Sequence, residues 1–197
     1  MTPSANGHFS DQVELALRIS MEAHAGQTRK GQLTPYVTHP IHVALLLARA
    51  GADDLTLQAA LLHDVVEDCD GWTVDGVETL FGPEVARTVL VLTEDMGGSW
   101  EVRKQAALGQ VADMDARTLA VKTADKLHNM QTLLASLAAS PNPATVWSHF
   151  SRGPAPTIGY ARQLAEALMQ RLREVEAYER LGEELLATVD ELERFVP

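Results

Sequence analysis

Residues 59–68 read Ala-Ala-Leu-Leu-His-Asp-Val-Val-Glu-Asp, an apolar run that ends in four ionisable side chains. If the stretch is one helix, His63 and Glu67 are i,i+4 partners, and so are Asp64 and Asp68. Polar groups on an apolar helix are costly unless they have partners. One imidazole and three carboxylates suit a divalent cation and leave room for acid–base chemistry. The plain alternative is a solvated helix end beside a histidine that packs in the core.

The bulk composition is that of an ordinary globular protein. The chain has 197 residues, 46 % of them hydrophobic and 22 % charged, which predicts a single domain over residues 1–197. The formal net charge of −11 disfavours non-specific nucleic-acid binding. An anionic substrate would therefore need metal ions, or a few well-placed lysines and arginines, to overcome the negative field.

The sequence also predicts a compartment. Cys69 is the single cysteine, so the chain has no internal disulfide and fits a reducing environment. The polar N-terminus, with residues 1–9 as a loose tail, lacks the apolar core of a signal peptide. No apolar run reaches the roughly 18–20 residues of a membrane span. We therefore expect a cytoplasmic protein with neither a membrane nor a nucleic acid as partner.

Hydrophobic periodicity and capping residues predict helices throughout, near 11–25, 40–50, 54–70, 73–81, 83–97, 100–112, 115–140 and 143–150. Asp54 is the expected cap of the third helix, and residues 153–156 are expected to form a loop. Residues 89–92 are the only strand-like run and lie within a helical frame. The fold class is therefore all-α, a helical bundle. The amphipathic region 157–195 is expected to pack on the core or on a second copy in a homo-oligomer.

Three separated segments carry candidate ligands. The first places His39 directly before Pro40 at the start of a helix, and the second is the His63–Asp64 pair. The third is residues 121–132, where Asp125 and Asn129 are i,i+4 partners, followed on roughly the same side by Thr132. Two imidazole nitrogens and two carboxylate oxygens suit Mn²⁺, Fe²⁺ or Zn²⁺ better than Ca²⁺.

Each candidate also has a plainer interpretation. His39 could be a hydrogen-bond donor in a loop, and Asp125 could simply pair with Lys122 or Lys126. His128 is one residue off the Asp125 face, so it is interpreted as packing.

This combination resembles the HD-domain hydrolases. In particular it is similar to the alarmone hydrolase branch, which comprises the hydrolase half of the long Rel/Spo-type enzymes and small stand-alone relatives of the metazoan type. Five ordered blocks carry the resemblance: residues 23–31, 35–40, 59–68, 81–82 and 122–130. Because the chain ends at Pro197 without a synthetase half, the resemblance implies a stand-alone hydrolase with an HD-type helical bundle.

The resemblance implies roles for ten residues. It implies one Mn²⁺, or another divalent transition metal, with four ligands: His39, His63, Asp64 and Asp125. It implies that Glu67 and Asp68 order and deprotonate the attacking water. It places Arg29 against the guanine base, and a planar guanidinium can indeed stack on a purine. The remaining implied nucleotide contacts are Lys30, Asn129 and Thr132.

The implied reaction is the Mn²⁺-dependent release of pyrophosphate from guanosine 3′,5′-bis(diphosphate), which leaves GDP, or GTP from the penta form. One alternative keeps the chemistry but changes the substrate to an adenosine alarmone or NADPH. Another is a catalytically silent alarmone-binding module, against which the intact Glu67–Asp68 pair argues. Two departures stand out: Cys69 replaces the family's usual Thr, and residues 92–97 differ from the usual Val-Thr-Lys. Arg103 and Lys104 are candidates for replacement charge.

Overall fold

The structure, a computed structural model, describes residues 9–95 and 97–196. The helices are α1 (Asp11–Ala23), α2 (Thr38–Arg49), α3 (Asp54–Leu62), α4 (Val65–Asp68), α5 (Val74–Phe81), α6 (Pro83–Leu92), α7 (Trp100–Gln110), α8 (Ala116–Ala139), α9 (Pro143–Trp147), α10 (Pro154–Glu174) and α11 (Glu179–Glu193), with a 3₁₀ turn at Val111–Asp113. Within the described ranges there is no strand, only an isolated bridge between Thr28 and Pro35. The all-α prediction is confirmed.

The chain forms two compact units. Among the described residues, 9–28 and 34–93 make the N-terminal unit, and 29–33, 94–95 and 97–196 make the C-terminal unit. The single domain over 1–197 stays a prediction, as does the homo-oligomer. The predicted tail lies outside the described residues, except for Phe9, which is exposed.

Helix α3 is the centre of the N-terminal unit and contacts α1, α2 and α6, while α5 packs on α6. Residues 56–62 of α3 are all buried. Its start shows that the predicted cap was wrong by one residue. Asp53, not Asp54, accepts a hydrogen bond from the Thr56 amide at 2.8 Å. A side-chain oxygen there satisfies an amide that the first helical turn leaves without a partner.

The prediction of one helix through residues 59–68 was wrong. Helix α3 ends at Leu62, α4 begins at Val65, and the intervening residues form a turn. The His63 ring explains the break, because its Nδ1 lies 2.7 Å from the Ala60 carbonyl oxygen. In an unbroken helix that carbonyl would accept from the Asp64 amide, and the side chain competes for it. One turn then resumes, with the Asp68 amide donating to the Asp64 carbonyl at 2.9 Å.

Helix α8 is the centre of the C-terminal unit. Residues 118–125 of α8 are buried in an unbroken run. Helices α10 and α11, which correspond to the predicted amphipathic region, pack on α8 and on each other, and α7 contacts α10. The predicted cap of α8 is confirmed, since Asp115 accepts from the Thr118 amide at 2.8 Å.

Two predicted boundaries were wrong. Helix α6 ends at Leu92 rather than near residue 97, because the backbone turns extended at Thr93. Helix α10 begins at Pro154, inside the predicted loop. A proline at the first helical position costs no hydrogen bond, since an N–H there would have no intrahelical partner. None of the helices in the described chain has the length and apolarity that a bilayer crossing requires.

Candidate active site

The N-terminal unit brings His39, His63 and Asp64 together. His39 lies in the first turn of α2 and His63 follows α3; they are 1 % and 3 % exposed. Their rings meet edge to face with centroids 5.2 Å apart. The Asp64 carboxylate reaches both, with Oδ1 3.1 Å from His63 Nε2 and Oδ2 3.5 Å from His39 Nε2. Two imidazoles and a carboxylate thus converge at the break between α3 and α4.

The tautomer of His63 shows that these donors fit a metal. A carbonyl only accepts, so the His63 Nδ1 facing Ala60 carries the hydrogen. In the neutral ring Nε2 then carries a lone pair, and it faces a carboxylate oxygen at 3.1 Å. Ligating histidines typically donate their second N–H to a backbone carbonyl in this way. The arrangement implies a divalent metal ion.

Tyr36 is a site residue that the sequence interpretation missed. Its hydroxyl donates to Asp64 Oδ2 at 2.6 Å. Burial and the charge of Asp64 raise the pKa of Tyr36, so the phenol stays protonated and remains a donor. Tyr36 fixes the orientation of the Asp64 carboxylate.

The Tyr36 ring packs against His24, which in turn contacts Gln27 and Cys69. The His24 ring lies 4.7 Å from the Tyr36 ring, centroid to centroid, and its Nδ1 is 2.8 Å from Gln27 Oε1. The Cys69 sulfur is 3.3 Å from the same nitrogen. Burial raises the pKa of the Cys69 thiol, so this cysteine is a packed thiol rather than a thiolate.

The two predicted catalytic carboxylates lie on α4, and both are exposed. Partial burial and the neighbouring Asp64 carboxylate raise the pKa of Asp68, which makes it a better proton acceptor. Gln27 Nε2 donates to the Asp68 backbone carbonyl at 2.8 Å and anchors this turn. Glu67 precedes Asp68 on the same short helix.

The C-terminal unit links Arg29, Asn129 and Asp125. Arg29 Nη2 donates to Asn129 Oδ1 at 2.5 Å, and Asn129 Nδ2 donates to Asp125 Oδ1 at 2.6 Å. Lys126 Nζ lies 3.0 Å from the other Asp125 oxygen. The predicted i,i+4 relation of Asp125 and Asn129 is thus a hydrogen bond. The Asn129 amide connects a carboxylate of α8 to the arginine of the 29–33 segment.

The 29–33 segment is fastened to the C-terminal unit. A Cβ built on Gly31 would lie 2.8 Å from the His149 ring, and Gly31 has φ +72°. Gln32 Nε2 donates to Ser136 Oγ at 3.2 Å, and Ser136 Oγ in turn donates to the Thr132 carbonyl. Exposed Lys30 places Nζ 5.8 Å from the Phe150 ring centroid. Lys30 and Thr132 therefore belong to the same unit as Arg29.

Comparison with known proteins identifies the family. A family model described as an HD domain matches residues 16–150. The mouse guanosine-3′,5′-bis(diphosphate) 3′-pyrophosphohydrolase MESH1 is 36 % identical over 174 residues, which are 85 % of this chain and 97 % of the mouse protein. The bifunctional (p)ppGpp synthase/hydrolase SpoT of Escherichia coli is 40 % identical over 124 residues, 60 % of this chain and 17 % of SpoT.

Solved structures share the fold. A metazoan orthologue of SpoT, described as hydrolysing ppGpp, superposes with a TM-score of 0.72 at 28 % identity, covering 95 % of this chain and 97 % of the other. A Listeria monocytogenes protein superposes with a TM-score of 0.69 at 33 % identity, over 80 % and 97 %. The chain spans only 16–17 % of the long bacterial relatives it matches. Its HD-domain match and its likeness to the mouse protein along most of both chains show that the chain belongs to the HD-domain family.

Proposed function

We propose that the chain is a metal-dependent hydrolase that releases pyrophosphate from the 3′ position of guanosine 3′,5′-bis(diphosphate). The observation that carries the proposal is the buried His39–His63 pair with Asp64, one turn before the exposed acids of α4. The names of the mouse and Drosophila melanogaster relatives, both guanosine-3′,5′-bis(diphosphate) 3′-pyrophosphohydrolases, support the substrate. The products would be pyrophosphate and GDP, or GTP from the penta form.

We propose Mn²⁺ as the ion. His39, His63 and Asp64 would hold it, with Asp125 of α8 as the fourth ligand. Mixed nitrogen and oxygen donors favour a first-row transition metal over Ca²⁺ or Mg²⁺. When bound, the ion supplies positive charge that favours deprotonation of water and offsets the charge of a phosphoryl group.

The acids of α4 would handle the proton. Asp68, whose pKa is raised by burial and by Asp64, would hold the proton removed from the attacking water. Glu67 would orient that water and share the proton. Exposure of both residues gives the proton a route to solvent. Tyr36 would keep Asp64 in its ligating orientation through the 2.6 Å hydrogen bond.

The C-terminal unit would supply nucleotide contacts. Arg29 would stack on the base, with its guanidinium held by Asn129. Lys30 is exposed on the same segment and would reach a phosphate. Thr132 lies on α8 one turn beyond Asn129 and would contact the ribose or base.

A substrate panel tests the proposal. Purified protein with Mn²⁺ is incubated with guanosine 3′,5′-bis(diphosphate), its adenosine counterpart and NADPH, and the released phosphate species is identified. We expect pyrophosphate, released fastest from the guanosine compound. If only NADPH is hydrolysed and orthophosphate is released, the protein is a phosphatase and the proposed reaction is wrong. If the nucleotides bind but no phosphate is released, the protein is a catalytically silent alarmone-binding module.

Removing the stacking arginine should weaken substrate binding. Arg29→Ala is expected to raise KM about tenfold and to change kcat less, because cation–π contacts of about 0.5–2 kcal/mol act in ground and transition states alike. Arg29→Lys keeps the charge but lacks the planar guanidinium, and it serves as the matched control. Its KM should stay close to that of Arg29→Ala. A loss confined to kcat would contradict the stacking role.

Removing one hydroxyl should weaken metal binding. Tyr36→Phe keeps the ring but deletes the donor to Asp64, and loss of such an outer hydrogen bond lowers metal affinity about 10- to 100-fold. Competition for Mn²⁺ against a fluorescent chelator measures the affinity without any turnover. Tyr178→Phe, which removes a hydroxyl from the residue before α11, is the control. If Tyr36→Phe and Tyr178→Phe bind Mn²⁺ with equal affinity, Tyr36 has no role at the metal centre.

A further inference from the structure

A tight turn in the C-terminal unit carries the arginine that is proposed to stack on the base. In this 29–32 turn the Gln32 amide donates to the Arg29 carbonyl at 2.9 Å, and Gly31 has φ +72°. A four-residue turn brings the Cα atoms of its first and last residues within about 7 Å, and a positive φ at its third position favours glycine. Arg29 and Gln32 are therefore close neighbours at the two ends of the turn.

Both ends of the 29–32 turn are bonded to helix α8. Arg29 Nη2 donates to Asn129 Oδ1 at 2.5 Å, and Gln32 Nε2 donates to Ser136 Oγ at 3.2 Å. Asn129 and Ser136 are seven residues apart. At 3.6 residues per turn they share one face of the helix, about 10 Å apart along its axis. The turn therefore lies along α8 and is attached to it at two points.

The hydrogen bond between Gln32 and Ser136 can run in one direction only. The Ser136 hydroxyl donates to the Thr132 carbonyl at 2.8 Å, and a hydroxyl has a single hydrogen to donate. The Ser136 oxygen therefore accepts, and the side-chain amide of Gln32 is the donor. Gln32 is half-buried, whereas Lys30 is exposed and Leu33 is 97 % exposed. The Gln32 amide thus faces α8 while residues around it face solvent.

Resting on the proposed function, we propose that Gln32 is a positioning residue for nucleotide binding: its hydrogen bond to Ser136 holds the 29–32 turn on α8 with the Arg29 guanidinium already in its stacking position. Loss of that bond releases the end of the turn that follows Arg29. The guanidinium then occupies its stacking position for a smaller fraction of the time, and the apparent affinity falls with that fraction. Gln32 acts on the purine through Arg29 and does not touch it.

Product binding measures this effect without turnover. The full chain with Mn²⁺ is titrated calorimetrically with GDP and with ADP. Gln32→Met keeps the length of the side chain but removes the donor, so it should weaken GDP binding about three- to tenfold, the factor that corresponds to one neutral hydrogen bond. ADP binding should weaken by the same factor, because stacking uses the face of the base, which every base offers. Gln110→Met, at the exposed last residue of α7, is the matched control and should change neither affinity.

A double variant tests whether Gln32 acts through Arg29. In the Arg29→Ala protein there is no guanidinium to position, so adding Gln32→Met should leave GDP affinity unchanged. A further loss in that background means that Gln32 contacts the nucleotide itself. A changed ratio of GDP to ADP affinity in Gln32→Met means that Gln32 reads the edge of the base. Either result overturns the proposal.

Ser136→Ala removes the acceptor of the same hydrogen bond and leaves the sequence of the turn intact. It should weaken GDP binding as much as Gln32→Met does, and combining the two should weaken it no further. Trypsin gives a readout without nucleotide, since Lys30 is exposed and cleavage after it requires local release of the turn. Cleavage after Lys30, identified by mass spectrometry, should be about three- to tenfold faster in Ser136→Ala. Equal cleavage rates in wild type and variant would show that the bond does not hold the turn.

Turnover separates this inference from the hydrolase proposal. Gln32→Met should raise KM for guanosine 3′,5′-bis(diphosphate) by the factor found for GDP and leave kcat near its wild-type value. If the wild-type protein releases pyrophosphate and Gln32→Met changes neither KM nor GDP affinity, the inference is wrong and the hydrolase proposal stands. If the wild-type protein releases no pyrophosphate but GDP affinity depends on Gln32 through Arg29, the positioning role stands and the hydrolase proposal fails. A wild-type protein that binds neither nucleotide contradicts both.

Discussion

Asp64→Ala is expected to abolish Mn²⁺ binding and to lower turnover by about three orders of magnitude or more. Asp64 reaches His63 Nε2 at 3.1 Å and His39 Nε2 at 3.5 Å, so its loss removes the charge that balances a cation between the imidazoles. Preorganised electrostatic groups of this kind each contribute about 10²–10³ in rate, and loss of the ion removes several at once. The substitution also removes the acceptor of the 2.6 Å hydrogen bond that the Tyr36 hydroxyl donates.

The measurement pairs metal content with rate. Mn²⁺ is quantified after dialysis, and pyrophosphate release is followed under saturating substrate. Asp70→Ala, which removes an exposed carboxylate just beyond α4, is the control and should behave as wild type in both. Full activity of a metal-stripped Asp64→Ala protein would end the metal hypothesis.

Glu67→Gln is expected to keep the metal and the substrate but to lose about 10²–10⁴ in kcat, the usual contribution of a positioned acid–base group. The amide keeps the shape of the side chain and cannot take a proton. Because Glu67 is exposed on α4, the substitution should leave the melting temperature unchanged. KM and Mn²⁺ affinity should therefore stay near their wild-type values.

Glu78→Gln on α5 neutralises another exposed glutamate of the N-terminal unit and is the matched control. An unchanged kcat in Glu67→Gln would assign the proton to Asp68 alone, whose pKa is already raised. Asp68→Asn would then show the full loss of about 10²–10⁴ in kcat.

Local signals in the sequence predicted much of the fold. The side chains of Ser10, Thr73, Ser99 and Asp115 all accept from the backbone amide three residues on, as capping chemistry requires. Such hydrogen bonds depend only on near neighbours. The break after Leu62 could not be found in this way, because apolar residues resume at Val65 and the cause of the break is the His63 ring on the Ala60 carbonyl.

The candidate site shows the same limit. The i,i+4 spacing of Asp125 and Asn129 predicted their contact, which is a 2.6 Å hydrogen bond. Spacing could not predict that Arg29, 100 residues away along the chain, donates to the same Asn129. Tyr36 was also missed, because a phenol near a histidine carries no signal until its hydroxyl is seen on Asp64.

The close approach of Gly31 to His149 has a consequence for affinity. Since a Cβ on Gly31 would lie 2.8 Å from that ring, the loop that carries Arg29 rests against the C-terminal unit before any nucleotide arrives. A ligand that meets an already ordered loop loses less conformational entropy on association. Enlarging this one position would convert a preorganised recognition loop into one that each substrate molecule must order anew.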